Sequence, residues 1–453
     1  MYNPLLQPDL KLMLQEEDQL GLQEFCNVLY PVVVAEVLDG LLPDEVWRVL
    51  HACDVHRRAE IFEFIEPHLQ LDLVQSVDKK ELSQLIEAMA PDDRVDLLSN
   101  MPEEQVEALL PLVAQAERDD IRRLLSYPED SAGSIMTTEY ASLPEEITVR
   151  EALDQLRQQA PNRESIYYVY VLDDERRIDG VITLRQLILA RPAAVLKDLM
   201  RRNPIVVKVN DDKVEAARQL ARFDLLALPV VDEQNRLVGM ITHDDVLDLV
   251  QEEAEEDAYR QSAIQPLDTT YFETPLLELA WKRGVWLLLL AFFALLTAGI
   301  QDQFKDLNQR HQFLFVFLPL VLASGGNTGS QSATLVIRAI AGITLDPRER
   351  LHLARREFLT GLTLGSCLAL FSFVAAWLVF RQTAMESAVV AATVGMVVTM
   401  GTLTGSMLPL IFKRIGMDPA IMSNPLIAAL SDMLGVIIYY SVAALVLDQY
   451  VLT

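Results

Sequence analysis

One carboxylate stands where its neighbours make it expensive. Asp432 is the single charge in the 23-residue apolar run 425–447 (PLIAALSDMLGVIIYYSVAALVL). Such a run crosses a hydrocarbon core of about 30 Å at about 1.5 Å per residue. An ionised side chain near its middle costs about 2.5–3.5 kcal/mol on the mildest scale. A cation held in a pathway offsets that cost; a helix–helix hydrogen bond or a proton relay are the alternatives. Asn424 and Ala428 share a helical face with Asp432, and no Lys or Arg lies mid-span to neutralise it. A second candidate is the glycine-rich segment 324–332 (SGGNTGSQS) inside another apolar stretch. Irregular backbone at membrane depth is tolerated only when buried in protein or lining a wet cavity. Gly325, Gly326 and Asn327 are therefore expected to offer oxygens to an ion route, with close packing of small residues as the competing reading. The third candidate is an acidic helix carrying Asp244, Asp245, Asp248, Glu252, Glu253, Glu255, Glu256 and Asp257. Isolated, it repels itself. Hard divalent cations suit it, Mg²⁺ through a few carboxylates and retained water, whereas a solvated acidic face is the plain alternative.

These residues need two kinds of scaffold. The 453-residue chain has a formal net charge of −27, unevenly spread. From residue 280 onward there are 12 basic and 9 acidic side chains, against 26 and 56 before it. The acidic part argues against nucleic acid and for counter-cations. The three cysteines, Cys26, Cys53 and Cys367, are far apart in sequence and fit neither a metal finger nor a disulfide framework. The N-terminal residues lack the basic start and apolar core of a signal peptide, so the soluble part is expected to stay in the cytosol. Apolar runs near 284–301, 313–340, 358–380, 388–412 and 425–447 predict five spans. Lys282, Arg283, Arg338, Arg348, Arg350, Arg355, Arg356, Lys413 and Arg414 fall on one side, and Lys305, Arg310 and Arg381 on the other. The positive-inside rule puts the N-terminus in the cytosol and the C-terminus outside.

An internal repeat fills 136–250. YVLDDERRIDGVITLRQLI aligns with PVVDEQNRLVGMITHDDVL at a shift of 59, pairing Asp173 with Asp232, Gly180 with Gly239 and Thr183 with Thr242. Ile135-Met136-Thr137 echoes Leu199-Met200-Arg201. This resembles a tandem pair of CBS domains, each a β-α-β-β-α unit. Thr242 and Asp245 in GMITHDD resemble a nucleotide-contacting pattern, which makes ATP a candidate ligand; Thr183 and Gln186 lack the acid. A helix cap by Thr242 explains the same residues. Ahead of the repeat, LPDEVWRVL, MAPDDRVDLL and MPEEQVEALL each place Pro and acids before apolar positions at helical spacing. They predict a stack of short helices.

GGNTGSQSATLVIRAIA after an apolar run and SNPLIAALSDMLGVIIYY near the C-terminus resemble the two membrane signatures of the MgtE family of magnesium channels. The resemblance implies a multidomain membrane protein: a helical-repeat N-domain (1–130), α/β CBS domains (131–198 and 199–252), an acidic connecting, plugging helix (253–280) and a five-helix transmembrane pore domain (281–453). It further implies a homodimer in the cell (inner) membrane, in contact with lipid, with Asp432 of each subunit holding hydrated Mg²⁺, helped by Asn424 and backbone near Gly325 and Gly326. Cytosolic Mg²⁺ would bridge Asp245, Asp248, Glu253, Glu256 and Asp257 to Asp92, Asp96 and Asp224, closing the pore. Ser330 departs from the family, where Asn is common. A broader channel for Co²⁺, Ni²⁺ or Mn²⁺ and cation-coupled transport are the competing readings. A membrane enzyme is disfavoured, because His311 and His352 fall in loops and no His lies within a span.

Overall fold

The computed structural model describes residues 6–267, 271, 274–340, 346–415 and 423–451. It divides into two compact units, Met1–Val250 and Gln251–Thr453.

The first unit opens with short helices: Gln7–Glu16, Gln19–Val28, Pro31–Leu38, Pro43–Leu50, Val55–Glu63, Pro67–Ser76, Lys79–Ala88, Pro91–Ser99, Glu103–Leu109 and Gln115–Leu125. Proline sits in the first turn of several, where its missing N–H costs nothing. Asp18, Asp54 and Asp78 cap others by accepting from first-turn amides. Pro102 differs from the other repeat prolines by occupying the cap position itself. Each helix is too short to be stable alone; a continuous apolar core from Leu10 to Ile121 holds the stack. Within it the Trp47 indole N–H reaches Leu73 O (3.1 Å) and Ser76 Oγ (3.0 Å).

The repeat follows as two small sheets. In the first, β1 (Tyr140–Pro144) runs parallel to β2 (Ser165–Leu172), which pairs antiparallel with β3 (Ile178–Thr183), and β3 with β4 (Arg201–Arg202). In the second, β5 (Val207–Lys208) is parallel to β6 (Ala227–Val231), and β6 antiparallel to β7 (Leu237–Thr242). The tripeptide echo has a structural cause. Arg201 and Arg202, which precede the second copy, pair with β3 of the first, whereas Thr137, which precedes the first copy, bridges to Met240 of the second. Each copy lends the other an edge. Gly180 and Gly239 leave the room this needs, since a Cβ would meet Met200 Sδ at 2.7 Å and Met136 Sδ at 2.6 Å, respectively. Asp173 and Asp232 then build matching turns, each carboxylate accepting two backbone amides.

The acidic helix is His243–Gln261, continuous from β7. It carries the acids from Asp244 to Asp257, as expected; the expected domain boundary at 253 falls inside it, and it ends at Gln261. Among the described residues of the second unit, five helices are long and apolar enough to span a membrane: Leu276–Gln303, Phe313–Ile340, Pro347–Val379, Ala384–Arg414 and Asn424–Leu447, spans 1 to 5 below. The expected break in span 2 is absent. Phe313–Ile340 is one α-helix through the whole glycine segment, so its carbonyls are bonded along the helix rather than offered to an ion. Close packing is the reason for the glycines. A Cβ on Gly401 would sit 2.7 Å from Gly325 O, and one on Gly405 would fall onto Gly329 O. Two glycines four residues apart on span 2 thus meet two on span 4, backbone against backbone. Gly361 and Gly365 of span 3 lie similarly against Thr399, Thr402 and Gly395 of span 4.

Candidate functional site

The membrane site forms where span 2 meets span 5. Asn424 starts the span 5 helix, and Ala428 and Asp432 follow one and two turns later. Gly326 opposes the latter pair; a Cβ there would lie 3.4 Å from both Ala428 Cβ and Asp432 Oδ1. Further along, Ser330 Oγ donates to Asn424 O (3.1 Å) and Thr334 Oγ1 to Asn424 Oδ1 (3.2 Å). Gly326, Ser330 and Thr334 form one face of span 2 at four-residue spacing, laid against Asn424, Ala428 and Asp432. The single residue noted as a departure from the family, Ser330, is therefore part of the site. Thr334 was not expected; its signal is that same spacing. Asp432 is half-buried, and its carboxylate has no hydrogen bond or ion pair among the described residues. Gly325 is buried against Val397, whereas Asn327 is exposed on span 2. A further membrane carboxylate escaped the sequence reading: Glu357 of span 3 accepts from Ser332 Oγ of span 2.

The second site lies within the first unit, where helix Pro91–Ser99 meets the CBS pair. Val95 of that helix packs among Val207, Leu228, Val246 and Leu249 of the second copy and its following helix. Acids surround this apolar contact. Asp92 is buried, and its Oδ1 has no hydrogen-bond partner among the described residues. Burial first, then the charges of Asp245, Asp93 and Glu164, push the Asp92 carboxyl well above its ordinary range. Burial and then Glu63, Asp245 and Asp96 push Asp93 up to about 8. Glu164 rises to about 7 through burial, Asp244 and Asp245. Glu63 rises to about 7 mainly through burial, although the Ala90 amide opposes this. Such mutual elevation marks carboxylates crowded without enough positive charge. The buried Arg94 nearby is committed to Glu117 (2.7 Å) and Met89 O (2.8 Å). Among the described residues no three side chains converge into a ready-made metal cage. The donors are hard oxygens, one of them the buried Asp92 Oδ1 without a hydrogen-bond partner among the described residues, and such a set suits an ion that keeps much of its water.

Of the expected sensor residues, Asp92, Asp96 and Asp245 fall in this cluster, and Asp248 adds its charge to Asp245. Asp224 is exposed in a left-handed turn (φ 53°) after helix Lys213–Arg222. Glu256 pairs with Arg260 (2.7 Å) on its own helix; Glu253 and Asp257 lie on that helix too. Glu63, Asp93 and Glu164 were missed as cluster members, whereas Asp244 belongs to the acidic helix already singled out. Asp93 adjoins Asp92, but nothing local marks Glu63 or Glu164. The Thr242 backbone amide lies 3.4 Å from Asp245 Oδ2, and its hydroxyl donates to the same atom, as Thr183 does to Gln186 in the first copy (2.8 and 2.9 Å). A cleft between the copies is lined by Tyr168, Tyr170, Arg201, Ile205, Leu225 and Pro229, and neither Thr242 nor Asp245 lines it.

Comparison with known proteins joins both sites. Residues 318–442 match the MgtE family, described as divalent cation transporters; 29–130 match the MgtE intracellular N domain, and 132–193 and 196–252 match CBS domains. The chain is 40% identical over 330 residues to the magnesium transporter MgtE of Thermus thermophilus, covering 73% of each chain. It is 37% identical over 324 residues to that of Bacillus subtilis, covering 71% of each. The first unit resembles two solved structures. One is the soluble part of a magnesium transporter, at 30% identity and TM-score 0.53, covering 55% of this chain and 98% of that one. The other is the cytosolic domain of the Mg²⁺ channel MgtE in complex with ATP, at 35% identity and TM-score 0.52, covering 54% and 100%. This chain is a multi-pass membrane protein of a transporter family rather than an enzyme, and it belongs to the MgtE family of divalent cation transporters.

Proposed function

We propose that the chain is a Mg²⁺-selective channel for magnesium uptake, working as a homodimer in the cell (inner) membrane and closed by cytosolic Mg²⁺. The observation that carries the reading is Asp432, an unneutralised carboxylate in span 5 facing the small residues of span 2. Small residues, Gly326 and Ala428, rather than bulky side chains stand beside it, which suits a cation that gives up its water reluctantly, as Mg²⁺ does. Asn424 contributes an amide on the same face, and Gly325, Gly326 and Asn327 shape the route as part of a helix. The relatives named as magnesium transporters support the choice of ion.

Closure follows from the acidic junction. At low Mg²⁺ the carboxylates of Asp92, Asp93, Glu164 and Asp245 repel, and the helical stack parts from the CBS pair. Hydrated Mg²⁺ offsets that repulsion, with Asp96, Asp224, Asp248, Glu253, Glu256 and Asp257 joining as further ligands while helix His243–Gln261 takes its blocking position. The soluble part is then cytosolic and the C-terminus outside. ATP occupies the cleft of the CBS pair, as supported by the ATP complex of the 35% identical relative.

Proteoliposome uptake tests the reading. Mg²⁺ should enter without a proton gradient, faster than Co²⁺, Ni²⁺ or Mn²⁺, and Na⁺ should not. Equal rates for all divalent ions would favour the broader channel suggested by the family description. Dependence on a proton or Na⁺ gradient would sink the channel.

A further inference from the structure

We propose that the basic end of span 3 binds an anionic phospholipid, its phosphate held by Arg355 with Arg348 and Arg356 beside it, and its acyl chains lying along Leu359 and Leu362. Span 3 is longer than a bilayer needs. Its helix runs Pro347–Val379, 33 residues or about 50 Å, against a hydrocarbon core of about 30 Å. The surplus lies at one end. Residues 358–380 carry no charge, whereas 347–357 hold Arg348, Arg350, Arg355 and Arg356. The edge of the hydrocarbon therefore falls near Phe358. That puts Arg355 and Arg356 within about 5 Å of it, at the depth of lipid phosphates.

Two observations set this end apart from the general excess of basic residues beside membrane helices. The first is that its charge is uncompensated. Glu349 accepts from the Asp346 amide (2.8 Å) and Glu357 from Ser332 Oγ, so the nearby acids are committed elsewhere. Arg350 is engaged. Arg348, Arg355 and Arg356 are exposed and make no hydrogen bond or ion pair among the described residues. In the acidic first unit, by contrast, the exposed Arg157 and Arg236 pair with Asp154 and Asp232. The second is that the free guanidiniums continue into an apolar track. Arg348, Leu351, Arg355, Leu359 and Leu362 recur at steps of three and four residues and share one face. All five are exposed, while Gly361 and Gly365 turn another face of the helix to span 4. Cations above an exposed apolar stripe complement an amphiphile with an anionic head. Guanidinium matches phosphate geometry. A zwitterionic headgroup would bring an ammonium with no carboxylate left to receive it, so the lipid carries net negative charge.

The test uses the full-length protein in detergent and phosphatidylglycerol labelled on an acyl chain, with binding read by fluorescence anisotropy. Unlabelled phosphatidylglycerol should displace the probe at about tenfold lower concentration than phosphatidylcholine, and the advantage should shrink as salt is raised. Inorganic phosphate at the same concentrations should displace nothing. The combined Arg348→Gln, Arg355→Gln and Arg356→Gln variant should lose the advantage, whereas Arg→Lys at the same three positions should keep much of it. Lys305→Gln with Arg381→Gln, beyond the opposite ends of spans 1 and 3, should leave it unchanged. Equal displacement by the two lipids, or an undiminished advantage in the three-Gln variant, would overturn the proposal. So would an equal loss in the Lys305 and Arg381 variant. Displacement by phosphate as effective as by lipid would reduce the site to a bare anion site and overturn the lipid. None of these readouts depends on which cation the protein carries.

Discussion

Asp432 and the acidic junction present the same chemistry in opposite settings. Asp432 is a single acid beside Gly326 and Ala428, with nothing charged against it. The junction crowds Asp92, Asp93, Glu164 and Asp245 around an apolar contact at Val95. A lone carboxylate among small residues attracts an ion without holding it in a cage, which suits passage. Several carboxylates crowded at a partly buried junction need an ion to stay together, which suits detection. The difference lies in the number of acids and in what surrounds them, and it can be tested from both ends.

Replacing Asp432 by Ala should have the largest effect. Mg²⁺ uptake should fall by about 100-fold, equivalent to about 3 kcal/mol, while Mg²⁺ should still slow proteolysis of residues 7–250. Loss of both would erase the distinction. The combined Asp92→Asn, Asp93→Asn and Asp245→Asn variant should do the reverse. Uptake persists at low Mg²⁺, but the concentration that closes the pore in patch recordings rises by about tenfold, or about 1.4 kcal/mol. Normal closure would remove the junction from the sensor.

How much of this the sequence disclosed differs between the sites. Asp432 was legible because one charge in 23 apolar residues needs no neighbour to be conspicuous, and the helical period supplied Asn424. The CBS pair was legible from its own repetition. The glycines of span 2 misled, since a run such as SGGNTG reads equally as broken backbone or as a packing seam. The decision lies in Gly401 and Gly405, on another helix with matching spacing. Glu63 and Glu164 were invisible for a similar reason. Each depends on segments distant in sequence meeting through tertiary packing.

Two smaller effects sharpen the contrast. Asp93, Glu63 and Glu164 titrate in the folded junction above their ordinary values, so the packed form binds more protons than the unfolded chain. Protons therefore stabilise it, and that stability is lost as pH rises through the folded values. Without Mg²⁺, thermal stability of the soluble part should decline from about pH 4 to about pH 8, and added Mg²⁺ should flatten the curve. A Mg²⁺-free curve that rises over this window would contradict the crowding. The smallest change is expected for Gln186→Glu. It gives the first copy an acid at the cap position that Asp245 occupies in the second, on an exposed turn. Stability should move by less than about 0.5 kcal/mol and closure by Mg²⁺ not at all. A shifted closing concentration would mean that any acid in the CBS pair suffices.

The glycine contacts between spans 2 and 4 also constrain how the transmembrane helices can move. Where side chains interdigitate, helices can slide by exchanging rotamers. Where Gly325 and Gly329 meet Gly401 and Gly405 with bare backbone, there is nothing to exchange. These two helices should travel as a single beam, and any widening beside Asp432 falls to the seam with span 5, held by the small hinge-like contacts of Ser330 and Thr334 to Asn424. A methyl group on Gly405 would thus alter the timing of opening as well as the stability of the bundle.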